Sequence, residues 1–164
     1  MALKTLEDAL VEELHDVLSA EKQITQALPK MAKKATDPKL KKAFETHLKE
    51  TEGQIERLNQ VFELLGKKAT AKTCEAMKGI LKEGESIMEE EADPDVMDAM
   101  LIGAAQKVEH YEIATYGTLC TWAATLGLEE VHDLLGENLD EEEETDDILS
   151  ELAEAGINEK AVEE

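Results

Sequence analysis

Basic residues, aromatics, prolines and cysteines are all scarce in this chain. Lys and Arg number 17 against 39 Asp and Glu in 164 residues, a formal net charge of -22. A field of that sign repels nucleic acid and anionic membrane surfaces, which excludes polyanionic partners. The two cysteines, Cys74 and Cys120, stand far apart and match neither a Cys-x-x-Cys pair nor a disulfide framework. No uninterrupted apolar run reaches the ~18 residues a membrane helix requires. The Met1-Ala2-Leu3-Lys4 start also lacks the apolar core of a signal peptide, so the expected compartment is a reducing cytoplasm. What remains is dominated by Ala, Leu, Glu, Lys and Met, all good helix formers. The composition predicts an all-α protein of one domain.

Apolar residues recur at helical spacing in four long stretches. Leu6, Leu10, Leu14, Val17, Ile24, Leu28 and Met31 mark a first helix over roughly 3–34, with Pro29 expected to bend its last turns. Asp37-Pro38 is a start signal for a second, which Leu40, Phe44, Leu48, Ile55, Leu58 and Phe62 carry to Gly66. A third runs from Asp93-Pro94 to about Leu126, and Gly127 separates it from a fourth carried by Val131, Leu135, Leu139, Leu149 and Leu152. Residues 67–93 read as a long crossover containing a shorter helix interrupted at Gly79 and Gly84. Two hairpins joined by such a crossover match an antiparallel four-helix bundle with one long connection, here residues 1–154, followed by a flexible acidic tail at 155–164. The Gly and Pro interruptions argue against one extended coiled coil.

Each of the four apolar stripes is broken by a residue that is costly to bury. The stretch KVEHYEIATYG at 107–117 places Glu112 on its stripe, with Glu109 one turn earlier on the flank. Glu21 is in phase with Leu14 and Leu28, His47 with Gln54 and Val61, and Glu142 with Leu135 and Leu149, while Glu50 shares His47's flank. Depth sharpens the coincidence. Glu21 and Glu50 stand about 15 residues from the first turn, roughly 22 Å at 1.5 Å per residue, and Glu112 and Glu142 stand equally far from Gly127. Carboxylates meeting at mid-bundle need cations, and a carboxylate-rich site with one imidazole suits divalent metals.

Known di-metal bundles place Glu-x-x-His on two helices. Here the order is reversed in His47-Leu48-Lys49-Glu50, and no histidine lies near Glu142. The remaining acids of the run GENLDEEEETDD read as a solvated face, with Glu141 intermediate. His15, His110 and His132 read as surface or structural, and Tyr111 and Tyr116 as core tyrosines, of which Tyr116 could hydrogen-bond a ligand. Glu13 and Asp16 border the first stripe as second choices.

The blocks SAEKQ at 19–23, AFETHLKETEGQIERL at 43–58, AAQKVEHYEIATYGTL at 104–119 and the later ENLDEEEETDD resemble the YciE/YciF-type family of bacterial ferritin-like proteins. The resemblance implies a ferritin-like domain, a homodimer and a connection with stress responses. It also implies a candidate di-metal site at Asp16, Glu21, His47, Glu50, Glu109, Glu112 and Glu142. Glu143 departs from the family, where a Lys commonly follows the matching Glu. The combined expectation is two divalent metal ions, iron ahead of manganese, held by Glu21, His47, Glu50, Glu109, Glu112 and Glu142, with peroxide or dioxygen chemistry or iron handling as the outcome. The competing expectation is a metal-free acidic dimer acting through its surface.

Overall fold

The computed structural model describes residues 2–162, all helical or connecting, with no strand among them. Four long helices, α1 (Leu6–Lys34), α2 (Pro38–Leu64), α4 (Pro94–Thr125) and α5 (Glu129–Leu152), dominate, and α3 (Glu75–Glu89) lies in the connection between α2 and α4. Packing closes a ring: α1 on α2, α2 on α5, α5 on α4 and α4 on α1, with α3 laid against α1 and α4.

Local chemistry fixes the helix ends. The Thr5 hydroxyl accepts from Asp8 N while Asp8 accepts from Thr5 N, a capping box. Asp37 and Asp93 cap α2 and α4, each followed by Pro at the first helical position. Gly66 and Gly127, at φ +62° and +71°, end α2 and α4 in the left-handed conformation that favours glycine. The next amides, Lys67 N and Leu128 N, then donate back to Phe62 O and Ala123 O at 2.9 and 3.0 Å.

Pro29 stands inside α1, which runs on to Lys34. One local expectation is adjusted. The crossover helix is not interrupted: α3 runs continuously through Gly79 and Gly84. Two helical glycines cost about 1 kcal/mol each, and the burial of Met77 with Ile80, Leu81, Ile87 and Met88 against the core offsets that. At the C-terminal end, leading into the 155–164 stretch, Ala153–Ile157 forms a π turn kinked at Gly156 and Asn158–Lys160 a short helix. Ile157 is buried in the core, whereas residues 163–164 of that stretch lie outside the described residues.

The turn between α1 and α2 is anchored from across the molecule. Asp98 of α4, 1% exposed, accepts from Thr36 N, Thr36 Oγ1 and Asp37 N at 2.8, 2.7 and 2.7 Å. That contact sets the height of α4 against the first hairpin.

The apolar core falls into two parts. One gathers Ile24, Leu28, Phe44, Leu101, Val108 and Leu149, and the other gathers Leu14, Leu18, Leu58, Phe62, Leu119 and Leu135. Between the two sets, each long helix carries its buried polar residues: Glu21 on α1; His47, Thr51 and Gln54 on α2; Glu109 and Glu112 on α4; Asn138, Glu142 and Thr145 on α5. A polar belt therefore crosses the interior at mid-height.

Candidate metal centre

Five ionisable side chains meet in that belt. His47 Nε2 lies 3.0 Å from Glu109 Oε1 and 3.7 Å from Glu142 Oε2, and all three residues are at most 2% exposed. On the other side of Glu142, one donor atom each from Glu21, Glu112 and Glu142 lie within 4.8 Å of one another, as do those of His47, Glu109 and Glu142. Glu142 belongs to both groups.

The imidazole is oriented from behind. Thr145 Oγ1 lies 3.1 Å from His47 Nδ1 and donates to Glu50 Oε2 at 3.3 Å. With Thr145 donating to Glu50 and able to accept from Nδ1–H, the ring is oriented so that Nε2 faces Glu109 and Glu142, where it becomes a ligand once its own proton is lost. Glu50 itself is 30% exposed and meets Nδ1 at 3.3 Å, on the side of the ring away from the cluster. The structure does not bring Glu50 into either group; it places it as a support for His47.

Other residues sort as follows. Tyr116, fully buried, donates its hydroxyl proton to Glu21 Oε1. Glu141 stays outside the cluster, holding Arg57 through two bonds of 2.7 and 3.0 Å and accepting from Gln54 at 3.0 Å. Asp16 accepts from Tyr111 at 3.1 Å, away from the belt, and Glu13 is half-buried beside it. His110 is exposed and pairs with Asp146, His132 is exposed beside Asp133, and His15 stacks on Phe62 with ring centroids 5.0 Å apart. Thr145 escaped sequence reasoning because a threonine in an acidic helical run carries no distinct signal; only its seven-residue offset from Asn138 hints that it faces inward.

Electrostatics make the cluster self-opposed. Burial, then the charge of Glu142, pushes the Glu21 carboxyl from 4.5 up to about 8. Burial also raises Glu112, with the charges of Glu142 and Glu21 adding to it. Glu142 is raised by burial and then by the neighbouring Glu109 carboxyl. For His47 burial favours the neutral ring, but Glu109, Glu50 and Glu142 outweigh it and hold the imidazole well above its usual value. Protons are thus stabilised where a divalent cation would compete for the same lone pairs.

The polar atoms without partners make the same point geometrically. Among the described residues, the buried side-chain atoms lacking a hydrogen bond include His47 Nε2, Glu21 Oε2, Glu109 Oε2 and both oxygens of Glu112 and Glu142. Buried polar atoms are almost always satisfied, and these converge on one place. The donor set, six carboxylate oxygens and one imidazole nitrogen, fits first-row divalent metals.

Against the His47 and Glu109 side lies an apolar cavity walled by Ile24, Leu28, Phe44, Leu81, Val108 and Leu149. The cavity is small, about 10 Å³, room for about one water molecule.

A family model described as domain of unknown function (DUF892) matches residues 5–162. Protein YciF of Escherichia coli strain K12 is 48% identical over 162 residues, covering 98% of each chain. The crystal structure of that stress protein superposes with a TM-score of 0.91, covering 95% of this chain and 99% of that one. YcfI from Rhodopseudomonas palustris, described as a candidate structural protein, is 46% identical with a TM-score of 0.88, covering 90% and 94%. A Xanthomonas campestris protein, XCC3681, is 26% identical at a TM-score of 0.76, covering 95% and 98%.

Proposed function

The chain belongs to the DUF892 family, and from that premise we propose that it is a ferritin-like four-helix bundle, with a crossover between α2 and α4, built around a dinuclear metal centre. The observation that carries the reading is the convergence of buried, unpartnered Glu21, His47, Glu109, Glu112 and Glu142 atoms in the belt. Four carboxylates supply four negative charges, the number two divalent ions neutralise, and the imidazole completes the set as a neutral donor. Unneutralised, the same carboxylates would cost several kcal/mol to bury. Iron is the first choice of metal and manganese the second.

When bound, such ions supply Lewis acidity and one-electron chemistry. The protein's own residues hold the donors in place and exclude water. The apolar lining beside His47 and Glu109 offers an approach to the site for a small neutral oxidant, dioxygen or hydrogen peroxide. The working role is a peroxidase- or oxidase-like reaction or iron handling under stress, in keeping with the stress protein YciF. We assign the protein to the cytoplasm as a homodimer; among the described residues no helix is long and apolar enough to cross a membrane.

A second reading has one observation in its favour. Burial raises the Glu21, Glu112 and Glu142 carboxyls, which favours their protonated forms without metal and suits an acidic helical dimer acting through its surface. Metal analysis of protein purified without chelator separates the two. The metal reading expects about two ions per chain, lost in Glu112→Ala with helicity retained; a wild type that stays metal-free and refuses iron and manganese eliminates it.

A further inference from the structure

The two halves of the belt site are chemically unequal. One half combines His47 Nε2 with Glu109 and Glu142; the other, Glu21 with Glu112 and Glu142, is all oxygen. Their surroundings differ in the same sense. His47 is held by Thr145 and Glu50, so its nitrogen is presented in one orientation, and the apolar cavity touches His47 and Glu109 without reaching Glu21 or Glu112. On the other side Tyr116 engages one oxygen of Glu21, leaving Oε2 and the two oxygens of Glu112 as the free donors.

Donor type governs which ion each half prefers. Imidazole suits zinc, copper, iron, cobalt and nickel, whereas carboxylate sets suit magnesium, calcium and manganese, and affinity for a mixed site rises along the first row. Resting on the metal-centre reading above, we propose that the site loads in order and accepts two different ions. A borderline transition ion enters the His47–Glu109–Glu142 half first, and a hard oxygen-seeking ion such as Mn²⁺ fills the Glu21–Glu112–Glu142 half. Glu142, common to both, couples the steps, because the first ion fixes its carboxylate and spends part of its charge. The second ion meets a less negative site and binds more weakly.

The test uses the full chain stripped with chelator and titrated with Co²⁺, read by its visible ligand-field bands, then with Mn²⁺, read by electron paramagnetic resonance. The first Co²⁺ equivalent should bind at least about tenfold tighter than the second, within the range over which ligand and support changes alter metal affinity. The one-cobalt protein should then take one Mn²⁺. His47→Gln should abolish the tight Co²⁺ step while Mn²⁺ binding at the oxygen half persists. Glu21→Gln should leave that step intact and remove the Mn²⁺ equivalent. Circular dichroism checks helicity, and Glu109→Gln stands in if His47→Gln does not fold. Two equivalents of equal affinity, or a first step sensitive to Glu21→Gln but not to His47→Gln, overturn the ordering while leaving a metal centre. A chain that binds neither ion overturns both the ordering and the metal-centre reading.

Discussion

Removing metal should turn the belt into a pH-dependent weakness. Glu21 is wholly buried, and its carboxyl sits at about 8 in the fold against an ordinary 4.5. A group whose folded pKa is raised contributes its full stability below the unfolded value and loses it as pH climbs through the folded one. The loss therefore runs from about pH 4.5 to about pH 8 for this carboxyl. The gap between 4.5 and about 8, at about 1.36 kcal/mol per pKa unit, gives ~5 kcal/mol across that window. That is a large part of the 5–15 kcal/mol that holds a typical domain together, so it stands as an upper figure. Glu112, Glu142 and His47 are raised as well and act with the same sign.

The assay is urea unfolding in excess chelator at fixed ionic strength from pH 5 to pH 8, comparing wild type with Glu21→Gln. Wild type should lose stability steadily as pH rises. The variant's slope should be shallower by the equivalent of about one proton, ~1.4 kcal/mol per pH unit at most. General repulsion from the net charge of -22 is nearly the same in both proteins, so the difference isolates the buried carboxyl. Saturating divalent metal should abolish the loss, since ionised ligands bind it. Identical slopes for wild type and Glu21→Gln would refute the electrostatic account of the belt.

Three further outcomes follow from single contacts. Asp98→Ala leaves Thr36 N and Asp37 N without their acceptor; denaturant unfolding should show a loss of about 2–6 kcal/mol, at about 1–3 kcal/mol for each of the two orphaned donors. Thr145→Val removes the hydroxyl between His47 and Glu50 and should weaken metal binding about 10–100-fold in a competition with a chelating dye, with circular dichroism little changed. Tyr116→Phe removes the donor to Glu21; unfolding experiments should show a cost of about 1–3 kcal/mol with metal stoichiometry unchanged.

Depth was the most legible feature of the sequence. Helical rise is constant, so counting residues from Thr36 and Gly127 puts Glu21, Glu50, Glu112 and Glu142 at one height. The structure gathers Glu21, Glu112 and Glu142 with His47 and Glu109 and leaves Glu50 outside both groups. Helix ends were legible where chemistry is local, as at Asp37-Pro38, Gly66 and Gly127. Rotation about a helix axis was less so. Residues 47 and 50 share a face at three-residue spacing, yet the partial turn between them separates a buried ring from a 30% exposed carboxylate, and periodicity does not say which ring nitrogen faces inward. Contacts between distant segments were invisible for the same reason. Asp98 lies outside any motif, and Ile157 is one apolar residue in a polar end, so neither reveals its partner until the helices are packed.

The proposed pair of metal ions in the belt of Glu21, His47, Glu109, Glu112 and Glu142 is open to anomalous diffraction at the manganese and cobalt edges, from crystals grown with both ions. Two peaks should flank Glu142, one beside His47 Nε2 and Glu109 and the other beside Glu21 and Glu112. Density confined to the exposed acids of α5, with nothing between those five side chains, would rule the centre out.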